Sequence, residues 1–175
     1  MEKITSKFQK LDPLKISDNI FRLIGNDWML ITAGSQNAFN TMTASWGAMG
    51  VLWNKKVAVI FIRPQRYTRK FVEENEYFTL SFFEKQHRNI LQLCGTKSGR
   101  DTDKIKETGL KPLITETGNI GFEQSRLILE CKKFYAGDLK HNNFIRREII
   151  DKNYPEHDFH RMYIGEIEKG YVKIF

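Results

Sequence analysis

The sequence is poor in the residues that build crosslinks, linkers and membrane spans. Two cysteines, Cys94 and Cys131, occur among its 175 residues. Neither belongs to a C-x-x-C pair, and two cysteines cannot make a disulfide framework in a chain of this size. They read as free thiols in a reducing compartment. No apolar run approaches the roughly 18 residues that a membrane span needs. The opening MEKITSKFQK mixes both charge signs without an apolar segment, which is not the pattern of a signal peptide. These absences predict a cytoplasmic protein with no membrane partner. The nucleotide-binding and hydrolase loops G-x-x-x-x-G-K-[ST], G-x-G-x-x-G and G-x-S-x-G are missing too. His157 and His160 stand at a metal-like H-x-x-H spacing, yet no nearby cysteine completes a tetrahedral set, so no metal is expected.

What is present fits a globular protein: 41% of residues are hydrophobic and 28% charged. The length suits one domain over 1–175, with no repeat, linker or low-complexity tract. A net charge of +7 invites an anionic partner: nucleic acid, a membrane surface or a small anionic ligand. Apolar and β-branched runs predict strands over 21–24, 28–33, 57–62, 77–83 and 127–131, the last continued by 134–139. The run at 57–62 reads as buried on both faces. A closing hairpin is expected from 162–167 and 171–175, turning at 168–170. Short helices are expected over 68–75 with Thr68 as N-cap, over 87–94 ending at Gly95, and over 101–108 between Asp101 and Gly109. Strands outnumber helices, which predicts a mainly β barrel or sandwich with a few crossing helices.

Three segments stand out. In N40-T-M-T-A-S-W-G47, alternation sends Asn40, Met42, Ala44 and Trp46 to one face and Thr41, Thr43, Ser45 and Gly47 to the other. The hydroxyl row fits either a wet strand face or a binding surface. In R63-P-Q-R-Y-T-R69, Arg63, Arg66, Arg69 and Lys70 crowd a predicted helix start, where positive charge is unfavourable unless an anion joins it. Splaying into water is the alternative. In C94-G-T-K-S-G-R-D-T-D-K104, glycines alternate with hydroxyl and basic residues, as in loops whose backbone N–H groups approach a phosphate, and also as in plain surface connections. Cys94 reads either as a buried thiol or as a redox thiol, and Cys131 as packing.

W28-M-L-I-T-A-G34, F39-N-T-M-T-A-S-W-G47, R63-P-Q-R-Y-T68, Y77-F-T-L-S-F-F83 and S98-G-R-D-x-D-K104 together resemble the flavin reductase-like proteins, including the flavoredoxins. The blocks follow in order over roughly residues 20–170. The resemblance implies an FMN-binding split β-barrel of Greek-key-like form, a homodimer with flavin near the subunit interface, and electron transfer from NADH or NADPH, or another donor, through FMN to an acceptor. It implies that Asn40, Thr41, Met42, Thr43, Ala44, Ser45 and Trp46 line the flavin. Arg63, Arg66 and Thr68 would lie near its phosphate, and the backbone of Ser81, Phe82 and Phe83 would pass the ring. Cys94, Gly95, Thr96, Lys97 and Lys104 match a second phosphate and ribityl region, and His160 matches a histidine near the final strand. A flavoredoxin-like carrier without its own NAD(P)H turnover is the alternative. A basic nucleic-acid-binding β-barrel is a more distant one, since the aromatic residues sit in apolar strands and read as core.

Overall fold

The computed structural model describes residues 1–174. Its strands are β1 (Glu2–Lys3), β2 (Phe8–Leu11), β3 (Met29–Ser35), β4 (Ala38–Ala44), β5 (Gly47–Leu52), β6 (Lys55–Ile62), β7 (Tyr77–Phe83), β8 (Pro112–Ile114), β9 (Ile120–Phe122), β10 (Ser125–Asp138) and β11 (Arg161–Lys173). The helices are α1 (Ile20–Arg22), α2 (Thr68–Glu74), α3 (Arg88–Thr96), α4 (Lys104–Thr108) and α5 (Glu148–Asn153). The main sheet is antiparallel and runs β4-β3-β7-β10-β11-β6-β5, with β2 pairing β11. A small sheet, β1-β8-β9, covers part of its outer side.

That strand order dictates a barrel. β4 and β5 lie at opposite ends of the sheet, yet only Ser45 and Trp46 separate them in the chain. The three Cα steps from Ala44 to Gly47 reach about 11 Å at most. The sheet must therefore curl until its two edges meet, leaving a seam without β4–β5 pairing. Side-chain alternation fills the interior: Met29, Ile31 and Ala33 of β3, Phe78, Leu80 and Phe82 of β7, and Leu127, Leu129 and Cys131 of β10 form one cluster. The opposite faces of the same strands are also covered. Leu30 and Phe83 pack with Ile90, Leu91 and Cys94 of α3, and Ile128 packs under the small sheet.

Several sequence expectations change. Residues 21–24 are helical, because the Asn19 side chain accepts a hydrogen bond from the Arg22 N–H and starts a turn. Phe21 then points to solvent while Leu23 and Ile24 are buried. Thr68 opens α2 without capping it and is buried, and α4 is capped by Asp103 rather than Asp101. Gly109 ends α4 in the left-handed region at φ 66°, as its position predicts. Gly95 lies inside α3 rather than beyond it. Only one face of β6 is fully buried, since Val59 and Phe61 are half-buried. The expected final hairpin is one strand, β11. Gly170 does not turn; its missing Cβ would sit 2.7 Å from the Leu11 carbonyl oxygen, so glycine permits close approach of β2. Phe175 lies outside the described residues. The 134–139 run continues the preceding strand within β10, as expected.

One charged group is sealed in this core. Glu130 of β10 is fully buried, and its Oε1 accepts hydrogen bonds from Thr115 Oγ1 (2.6 Å), Asn119 Nδ2 (2.7 Å) and Thr117. Its Oε2 accepts from the Tyr171 hydroxyl at 3.1 Å. The carboxylate thus ties β11 and the 115–119 turn to β10. Glu130→Ala leaves these donors unpaired and is expected to cost about 3 kcal/mol in urea unfolding at neutral pH, with Glu130→Gln costing less.

Candidate functional site

The seam between the barrel edges opens into a cavity of about 550 Å³. Asn40, Met42, Thr43, Ala44, Ser45 and Trp46 form one wall. Phe61, Arg63, Gln65, Arg66, Tyr67 and Thr68 form the second, Thr96–Gly99 with Lys104 the third, and His160 closes the far end. The three segments that stand out in the sequence therefore meet in space. The alternation of faces does not survive as drawn. At the barrel edge Met42 and Ala44 belong to the core and also border the cavity, alongside Thr43 and Ser45. The hydroxyls are largely committed: Thr41 Oγ1 bonds Thr32 Oγ1 at 2.9 Å, and Thr43 Oγ1 donates to the Leu91 carbonyl of α3.

Of the expected site residues, Thr41, Ser81, Phe82, Phe83, Cys94 and Gly95 lie outside the lining. Ser81, Phe82 and Phe83 are buried in β7 between β3 and β10. Cys94 is fully buried, and burial pushes its thiol up to about 11 against the pull of nearby Lys104. It is a packed thiol, not a poised nucleophile. Burial likewise raises Cys131. Lining residues absent from the sequence expectation are Phe61, Gln65, Tyr67, Ser98 and Gly99. Four of them stand inside the basic segments already singled out, so spacing pointed to the loops without ranking their members. Gly99 has a steric reason: a Cβ there would lie 2.1 Å from Asn40 Oδ1.

The basic cluster divides by partner. Arg69 Nε pairs with Glu73 at 2.8 Å and Lys70 with Glu74, both one helical turn away. Arg63 is held by Asp158 at 2.5 Å and by the Asn153 carbonyl at 2.7 Å, so it anchors the segment before β11. Arg66 and Lys104 have no carboxylate partner among the described residues. Arg66 Nη1 donates to the Gly95 carbonyl at 2.6 Å. Buried Lys104 donates Nζ–H to the carbonyls of Cys94 (3.0 Å) and Thr41 (2.8 Å). Both cations thus sit on terminal carbonyls of α3, its negative end. Burial lowers the pKa of each; Arg63 adds to the effect on Arg66. Each retains N–H donors: Lys104 has one left of three, and Arg66 has most of its five. Of the expected helix-start cluster only Arg66 lacks a carboxylate among the described residues, and Lys104 from the 94–104 loop joins it as a second desolvated cation.

His157 and His160 do not converge. His157 is exposed and stacks with His141 at 5.9 Å, whereas His160 is buried against Trp46 at 5.4 Å and Phe61 at 6.5 Å. The His160 imidazole is pushed down from 6.5 to about 4 by burial first and by Arg63 and Arg66, with Asp158 opposing. The unfolded chain then binds the proton that the folded ring refuses. Stability should fall as pH drops from about 6.5 to about 4 and level off for this group below that. The group accounts for on the order of 2–3 kcal/mol across the window. His160→Gln is expected to remove that share of the acid loss, read as the difference between mutant and parent urea midpoints at pH 7 and at pH 4.5.

A family model described as the flavin reductase like domain matches residues 21–173. Comparison with curated proteins finds no match. Solved structures of low identity share the fold. One is an FMN-binding domain of a flavin reductases-like enzyme from Shewanella baltica, with TM-score 0.68, 16% identity, and 95% of this chain and 77% of that chain covered. Another is flavoredoxin from Methanosarcina acetivorans, with TM-score 0.65, 21% identity, and coverage of 93% and 76%. A third is a flavin reductase with a split barrel domain from Shewanella frigidimarina, with TM-score 0.65, 16% identity, and coverage of 93% and 75%. At such identities the likeness establishes the architecture, a split barrel. The seam seen in the strand order and the match over 21–173 agree: the chain belongs to the flavin reductase-like family.

Proposed function

We propose that the seam cavity binds FMN and that the protein is a flavin-dependent oxidoreductase, passing electrons from NADH or NADPH, or another donor, to an acceptor. The observation that carries this reading is the pair Arg66 and Lys104, desolvated cations with spare donors and no carboxylate partner among the described residues. A phosphate would relieve them. Lys97 and Ser98 on the same wall offer further donors to it. The cavity volume of about 550 Å³ lies within the usual range for cofactor sites. Trp46, Phe61, Met42 and Ala44 supply apolar surface for a flat ring. FMN, when bound, supplies reversible acceptance of a hydride or of single electrons. The chain's own contribution is binding, orientation and exclusion of water, because hydride transfer between two rings is a matter of close positioning.

A homodimer belongs to the same reading. β5 is an edge strand of the sheet; Val51 on it is 75% exposed, and Trp53 in the turn that follows is 65% exposed. Trp53 packs against exposed Phe134 at 5.5 Å, and Tyr135 adjoins it. An apolar edge of this kind is a liability in a free monomer and an asset in a symmetric interface. The excess positive charge favours phosphate-bearing cofactors and donors.

Purified protein should be yellow, or become so on FMN titration. Arg66→Ala and Lys104→Met should each weaken FMN binding about ten- to a hundredfold, read by flavin fluorescence. Protein that stays colourless and binds no FMN would sink the reading. Anaerobic NADH and NADPH should bleach the flavin; failure of both would leave the flavoredoxin-like carrier.

A further inference from the structure

The segment between β10 and β11 ends in a buried pair that the phosphate side of the cavity does not use. Tyr154 follows α5 and is buried, and its hydroxyl lies 2.8 Å from His160 Nδ1. The two rings meet edge to face at 5.5 Å. Arg63 lies 5.3 Å above the Tyr154 ring while it holds Asp158 and the Asn153 carbonyl, so the segment is fixed from both sides. Phe144 and Phe159 pack on Tyr154 at 5.8 and 4.9 Å.

This geometry selects a tautomer. The Tyr154 hydroxyl has no acceptor other than His160 among the described residues. If the phenol O–H donates to Nδ1, its proton is satisfied and the imidazole proton must sit on Nε2. If Nδ1 carried the proton, a buried O–H would be left without an acceptor, which disfavours that tautomer. Nε2 makes no hydrogen bond among the described residues, is not among the polar atoms sealed without a partner, and belongs to a residue lining the cavity. It therefore opens into the cavity. The charged groups nearest His160 are Arg63 and Arg66, and Asp158; Arg63 and Asp158 neutralise each other, and burial keeps both the phenol and the imidazole uncharged near neutral pH.

We propose that Tyr154 is a positioning residue that fixes His160 as an uncharged Nε2–H donor, which takes the carbonyl oxygen of a neutral small molecule entering the cavity. This rests on the flavin reading and adds a substrate class to it. A fixed N–H beside an apolar Trp46 and Phe61 wall favours an uncharged acceptor oxygen over a carboxylate, because Arg63 is already paired with Asp158 and, in the flavin reading, the phosphate takes Arg66.

The test uses FMN-loaded protein and cyclohex-2-enone, with cyclohexene as the probe lacking oxygen; binding is read from the visible difference spectrum. The enone should bind at least tenfold more tightly than cyclohexene. Tyr154→Phe, which keeps the ring and its packing, should shrink that preference several-fold and leave FMN affinity within twofold. In a His160→Gln background, whose side-chain amide donates without help from Tyr154, Tyr154→Phe should change nothing further. Imidazole ¹⁵N spectra should place the proton on Nε2 in the parent and show a mixture in Tyr154→Phe. A proton on Nδ1 in the parent, or a carbonyl preference indifferent to Tyr154→Phe, would overturn the proposal. Loss of FMN uptake by the parent protein would instead overturn the flavin reading, and the ¹⁵N spectra, recorded on the same protein without flavin, still decide the Tyr154–His160 contact.

Discussion

The closure of the sheet through Ser45 and Trp46 is the constraint on which the rest of the structure depends. Two residues must join strands that stand at opposite ends of the hydrogen-bonding order. That connection is too short to cross an open sheet, so it forces curvature, and it leaves a seam where backbone pairing stops. A closed barrel of this size would fill itself with side chains. A split one has an opening, and the opening lies where β4, the loop before α2, the end of α3 and the start of β11 come together.

The electrostatics follow from the same arrangement. α3 packs on β4, where Thr43 grips the Leu91 carbonyl, and its negative end points at the seam. Arg66 and Lys104 satisfy that end, and in doing so they are pulled out of water. The same two side chains therefore hold the helix and leave unspent positive charge facing the cavity. Lys104 is the more confined, because its remaining contact runs to the backbone of β4. At the other end of the cavity charge is cancelled, since Arg63 and Asp158 pair and His160 stays neutral. The cavity is thus polarised, cationic beneath α3 and uncharged beside Trp46, which suits a ligand that is anionic at one end only.

Much of the fold was legible because the strands are long, apolar and β-branched. β3, β6, β7 and β10 all fall where alternation or continuous apolar character puts them. The misses have different causes: a distant neighbour, an unread local cap, and strands too short to show a pattern. The K-G at 169–170 looks like a turn, yet Gly170 is there for the close passage of Leu11. The 21–24 run looks like a strand, yet the Asn19 cap and the solvent-facing Phe21 make it a helix. The small sheet β1-β8-β9 is built from pieces of two or three residues, too short for periodicity to register.

By itself the sequence determined the mainly β class, the packing role of Cys131 and which short segments would line the cavity, because these rest on residue type and near spacing. Only the tertiary structure decided the assignment within those segments. It divided the arginines, giving Arg63 to Asp158 and Arg69 to Glu73 and leaving Arg66 with Lys104. It turned His160 inward onto Tyr154 and His157 outward. The reason is physical: an ion pair, a tautomer or a desolvated cation is a property of what lies within a few ångströms. Some of those neighbours are near in the chain, as Arg69–Glu73 and Tyr154–His160 are, but Arg66 meets Gly95 across 29 residues and Arg63 meets Asp158 across 95.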